Sequence, residues 1–119
     1  MNVTQLAQKL IQFESTHQNA AAMLACLDFC IEQFKGNDIM VERFTIEGNP
    51  MAIISTKGGR TFDVLLLGHI DTVEGDTKLF EGTIKDGKLY GRGTLDMKAF
   101  VATSITLMKE LLDGGYNGN

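Results

Sequence analysis

The sequence predicts an α/β domain, and three observations carry that prediction. Val64-Leu65-Leu66-Leu67 is an unbroken apolar run that stops at Gly68 and hands over to His69 and Asp71. Runs of this kind suit a strand buried on both faces. Near the end of the chain, Met97, Phe100, Val101, Ile105, Met108, Leu111 and Leu112 share one helical stripe, stopped by Gly114-Gly115. Two further helical patterns open the chain. The order helix, helix, three strands, hairpin, helix predicts an α-β-α layered domain with a mixed, mostly parallel sheet.

Each element has a local reason. Val3, Leu6, Ala7, Leu10 and Phe13 follow helical spacing, with Asn2 as the cap. Residues 14–19 interrupt it as a polar connector that holds His17, read as a surface residue. A second helix is expected from Ala20 to Phe34, with Met23, Leu24, Leu27, Ile31 and Phe34 on one face and Gly36 as its stop. Ile39 to Ile46 reads as a strand of imperfect alternation, which leaves its faces unassigned. Glu47-Gly48-Asn49-Pro50 is turn chemistry, Met51 to Ile54 a short strand, and Gly58-Gly59 the turn before the His69 strand. Residues 82–90 read as a hairpin with Asp86-Gly87 at its tip.

Composition narrows the function classes. A chain of 119 residues is one domain at most, and 44% hydrophobic with 22% charged residues is ordinary for a globular protein. A net charge of −4 argues against nucleic acid, which wants clustered Lys and Arg. The longest apolar run, Ala20 to Leu27, is too short to span a bilayer, so no membrane partner is expected. Cys26 and Cys30, four apart in a helical pattern, read as core thiols rather than soft ligands. So few cysteines exclude a disulfide scaffold and favour the cytoplasm.

The chemistry-bearing residues are His69, Asp71 and Asp96. Ligands of open α/β sheets sit beyond the carboxyl ends of the strands, where His69 and Asp71 fall. On extended backbone these two side chains point to the same side, so Asp71 can orient His69, as carboxylates do for metal-bound histidines. Asp96 offers a second hard ligand, able to bridge two divalent ions roughly 3.5–4 Å apart. The bland alternatives remain open at this level. A histidine after a strand can be structural, and Asp96 before the last helix can be its cap. Gly91 and Gly93 fail the fuller dinucleotide fingerprint, and no cofactor-binding residues are assigned.

In combination, Gly68-His69-Ile70-Asp71-Thr72-Val73 and Asp86-Gly87-Lys88-Leu89-Tyr90-Gly91-Arg92-Gly93-Thr94-Leu95-Asp96-Met97-Lys98 closely resemble the co-catalytic zinc aminoacylase and carboxypeptidase family. Acetylornithine deacetylase, succinyl-diaminopimelate desuccinylase and glutamate carboxypeptidase belong to it. The resemblance implies a zinc-peptidase-like domain, with His69 and Asp96 as metal ligands and Asp71 as the catalytic residue that orients His69. It also implies a cis peptide at Asp96-Met97. Two zinc ions are implied for the intact enzyme, with cobalt or manganese compatible with the same ligands. The implied reaction is hydrolysis of an amide in an N-acyl amino acid or small peptide bearing a free carboxylate, by a homodimeric protein.

The family's paired glutamates, one of them the general base, have no counterpart in this sequence, nor do its later acidic ligand and second histidine. The expectation is therefore a truncated domain, residues 1–119 being the N-terminal portion of a catalytic domain and inactive alone. Two other classes stand beside it: a non-catalytic binding or regulatory module, and a metal-binding domain completed by a partner chain. Keeping His69, Asp71 and Asp96 together speaks against the first of these. The absence of Trp, notably from the loop at 74–80, leans away from the desuccinylase branch.

Overall fold

A computed structural model describes residues 1–119. In chain order it contains α1 (Val3–Ile11), α2 (Ala20–Glu32), β1 (Met40–Ile46), β2 (Asn49–Ser55), a 3-10 turn (Thr77–Phe80), β3 (Thr83–Lys85), β4 (Lys88–Tyr90) and α3 (Lys98–Asp113). The Asn2 side chain accepts from the Gln5 amide, and the Gln5 side chain accepts from the Asn2 amide. That capping box satisfies two N–H groups at the start of α1 that have no partner within the helix. Leu6, Ala7 and Leu10 of α1 then meet Ala102 and Ile105 of α3 and Cys26, Cys30 and Phe34 of the α2 region in one core.

The buried stripe of α2 differs from the expected one. Met23, Cys26 and Cys30 face inward, while Leu24 is 47% exposed. Thiols are small enough for α2 to approach the other two helices, and both cysteines are free.

Both hairpins turn on two left-handed residues, as two-residue connections with a twist matching their strands require. These are Glu47 (φ 52°) with Gly48 (φ 83°) and Asp86 (φ 51°) with Gly87 (φ 72°). The first turn is thus shorter than expected. Asn49 and Pro50 already belong to β2, paired with Ile46 and Thr45.

The expected mostly parallel sheet is not what these strands form. β1 pairs with β2 and β3 with β4, each as a separate antiparallel two-stranded sheet, and the one parallel contact is a bridge between Thr16 and Thr72. Nor is Val64-Leu65-Leu66-Leu67 a buried strand, since Leu65 is 62% and Leu67 76% exposed. A doubly buried strand needs neighbours on both edges and layers on both faces. Here the backbone hydrogen bonds at its start go not to a strand but to Asn119, whose carbonyl accepts from the Asp63 and Val64 amides. At its other end Gly68 lies so close to α3 that a Cβ would stand 3.2 Å from Val101 Cγ2. Between β2, residues 62–68 and α3 this leaves an open apolar groove of about 450 Å³, lined by Ile54, Phe62, Leu66, Val101 and Met108 among others. Phe100 and Leu111, expected on the buried stripe of α3, stay exposed beside it. No helix is long and apolar enough to cross a membrane.

Candidate metal centre

Three segments converge at the end of the apolar run: residues 68–72, the turn that leads into α3, and the loop between α1 and α2. The loop is pinned to the first of these. Ser15, fully buried, donates its hydroxyl to the Ile70 carbonyl at 2.6 Å, and the Thr72 amide donates to the Ser15 carbonyl at 2.9 Å. From the other side Lys98, also fully buried, donates its ammonium to the Phe13 carbonyl at 2.6 Å. Burial pulls the Lys98 ammonium below its ordinary pKa, against the opposing pull of Cys26, Cys30 and Asp71.

The glycine at 93 makes room for that lysine. Gly93 has φ 88°, and a Cβ there would come within 2.9 Å of Lys98 Cδ. Its carbonyl accepts from the Lys98 amide at 2.8 Å, which ties the turn to the first residue of α3. The Asp96-Met97 peptide is cis. Met97, not Asp96, is the residue that precedes α3, and no side chain caps the helix. The Asp96 carboxylate is turned instead toward His69.

His69 sits between two carboxylates. Its Nε2 lies 3.0 Å from Asp96 Oδ1, and its Nδ1 lies 3.2 Å from Asp71 Oδ1 and 3.1 Å from the Asp71 carbonyl. Burial lowers the His69 pKa, but the hydrogen bonds to Asp96 and the Asp71 backbone and the two negative charges outweigh it. The imidazole therefore ends above its ordinary value. Asp71 Oδ2 in turn lies 3.4 Å from His17 Nε2. Expected as a mere surface residue, His17 is exposed but meets this cluster. Neither it nor Lys98 carries a local sequence signal for the position, since the connector between the first two helices decides where both contacts fall.

The donor set fits a divalent ion in part. Two ligands on one tetrahedral ion, at bond lengths of about 2.0–2.1 Å, stand about 3.3 Å apart, and His69 Nε2 and Asp96 Oδ1, at 3.0 Å, need to part only slightly to reach it. Asp71 behind Nδ1 leaves Nε2 to face the ion, the arrangement that orients metal-bound imidazoles. No three of these side chains are placed to hold one ion together, however, so the chain offers fewer protein ligands than a closed site needs.

Residues 65–119, which include His69, Asp71 and Asp96, match the model of Peptidase family M20/M25/M40. The chain belongs to this family. A succinyl-diaminopimelate desuccinylase of Sulfurovum sp. is 32% identical over 117 residues, covering 95% of this chain and 30% of that protein. An acetylornithine deacetylase of Proteus mirabilis is 39% identical over 80 residues, covering 57% of this chain and 21% of the relative. An uncharacterized metallohydrolase of Methanocaldococcus jannaschii is 34% identical over 80 residues, covering 62% of this chain and 19% of the relative. This M20 chain thus spans about a third or less of the length of the curated relatives it matches. Proteins named as desuccinylases and as a deacetylase both match it, so the Trp-free loop at 74–80 does not choose between those branches.

Proposed function

We propose that residues 1–119 are the N-terminal portion of the catalytic domain of a metal-dependent amidohydrolase. Its substrate is an N-acyl amino acid or small peptide with a free carboxylate, as the names of the relatives suggest. The observation that carries this reading is the pairing of His69 Nε2 with Asp96 Oδ1 at 3.0 Å, backed by Asp71 on the opposite ring nitrogen. In the whole protein His69 and Asp96 would hold divalent metal, zinc by family resemblance, and the second oxygen of Asp96, which makes no other bond, would be free for a further ion. A divalent ion bound there supplies a water with a pKa near 7 and polarises the amide carbonyl.

What the chain's own residues do follows from their contacts. The Asp71 carbonyl accepts from His69 Nδ1–H, and the Asp71 carboxylate lies 3.2 Å from the same nitrogen, so both hold the ring with Nε2 toward Asp96. The buried Lys98 and Ser15 fix the floor on which that pair stands. None of these residues is a glutamate base, so the chain alone binds metal weakly and hydrolyses nothing. The same reading makes Val64–Leu67 an inner strand of a mostly parallel sheet in the whole protein. That protein is homodimeric by resemblance, and cytoplasmic in keeping with two free thiols.

One observation favours a second reading, in which another chain completes the site: the exposed apolar surface of Leu65, Leu67 and Phe100 lies next to His69. The test serves both readings. The protein made from its native reading frame should release free amino acid from N-acetyl or N-succinyl amino acids and lose this activity with a chelator. A metal-replete protein inert on such a panel, whose Zn²⁺ uptake tightens when a second chain binds, supports completion in trans instead.

A further inference from the structure

We propose that His17 is a positioning residue of this site: it holds the second oxygen of Asp71 and thereby fixes the carboxylate that orients His69. The inference rests on the metal-site reading above and extends it to a residue outside the two motifs. Four side chains form one file. Asp96 Oδ1 meets His69 Nε2 at 3.0 Å, His69 Nδ1 meets Asp71 Oδ1 at 3.2 Å, and Asp71 Oδ2 meets His17 Nε2 at 3.4 Å. No other side chain bonds or pairs with Oδ2. An aspartate carboxylate turns in a broad, roughly two-fold well about its last torsion. A contact at one oxygen leaves it free to rock against the imidazole, and a second contact at Oδ2 restricts that rocking.

The position of His17 is itself built. It follows Ser15 and Thr16, and the Ser15 hydroxyl, the Ser15 carbonyl and the Thr16–Thr72 bridge bind this loop to the segment that carries His69 and Asp71. Lys98 clamps the same loop at Phe13 from inside the core. His17 is therefore presented to Asp71 by backbone that the core holds, although its own side chain is 65% exposed. So exposed a pair adds little to stability. Its effect falls on the orientation of Asp71 and, through it, on metal held by His69 and Asp96.

The experiment uses the 119-residue chain with His17→Leu and His17→Gln, the latter keeping an N–H donor of similar reach. Three quantities are read: thermal unfolding, the NMR shifts of Asp71 Cγ and His69 Nδ1 without metal, and calorimetric affinity for Zn²⁺ alone. His17→Leu should leave the unfolding midpoint unchanged, move both shifts, and weaken Zn²⁺ binding about tenfold, the low end for partners of metal ligands. His17→Gln should restore affinity to within about twofold, which a loss of packing alone would not allow. Unmoved shifts in His17→Leu, with Zn²⁺ affinity equal to that of the parent chain, overturn the proposal. If the parent chain takes up no Zn²⁺, the metal reading itself falls. The positioning of Asp71 is then decided by the metal-free shifts, and unmoved shifts overturn it too.

Discussion

His69 and Asp96, separated by 27 positions in the chain, meet at 3.0 Å between Nε2 and Oδ1 across the start of α3. Two routes bring them there. His69 comes off the end of the apolar run as Gly68 passes against Val101, and Asp96 comes off the turn that Gly93 and Lys98 lock. The contact is a hydrogen bond without metal and lies within a few tenths of an ångström of the separation of neighbouring tetrahedral ligands, about 3.3 Å.

Asp71 should control metal affinity without touching metal. Asp71→Asn preserves shape and the carbonyl that His69 Nδ1 meets, but removes the negative charge beside that nitrogen and puts there a group that can present an N–H to it. Zn²⁺ affinity of the chain should fall about 10- to 100-fold, read by calorimetry. An Asp71→Asn variant that binds as tightly as the parent would remove Asp71 from any orienting role.

Lys98 should matter for stability more than an exposed helix lysine would. Truncation to Ala takes the ammonium donor from the half-buried Phe13 carbonyl, leaving it only a 3.5 Å contact with Ser15 Oγ, and opens space beside Gly93. Loss of that charged hydrogen bond should cost about 1–3 kcal/mol in urea unfolding. Lys98→Met fills the space, so the gap between the two variants measures the cavity. Amide exchange at Thr72, whose N–H donates to the Ser15 carbonyl, should quicken in both.

Cys30 should be inert in the folded chain. Its hydrogen bond with Cys26 and its burial push the thiol well above its ordinary pKa, so it holds its proton where a free thiol ionises. At any pH below the raised value less thiolate is present than in the unfolded chain, and reagents need both thiolate and access. Labelling by a disulfide reagent at pH 8 should therefore run at the rate of unfolding. Fast labelling of the native chain would contradict the packing of α2.

How much of this could be read from the chain depends on where the cause lies. Asn2 as a cap, the Asp86-Gly87 turn and the long final helix were legible because residues within a few positions decide them. The closeness of His69 and Asp71 was legible for the same reason, as alternation on extended backbone puts both on one side. Asp96 came by resemblance, since its local context read equally as a helix cap. The exposure of Leu65 and Leu67 was not legible, because burial of a strand depends on neighbours that its own sequence does not contain. Lys98 and His17 were missed for a related reason. A lysine and a histidine on polar stretches look like surface, and only the docking of residues 13–17 onto residues 70–72 turns one into a buried clamp and the other toward Asp71.

The most direct test is a Zn²⁺ titration of the chain beside its His69→Ala and Asp96→Ala variants, with unfolding curves to show that all three fold. The account predicts saturable uptake by the parent chain that both substitutions abolish. Equal uptake by all three, or none by the parent chain, would contradict a metal centre at His69 and Asp96.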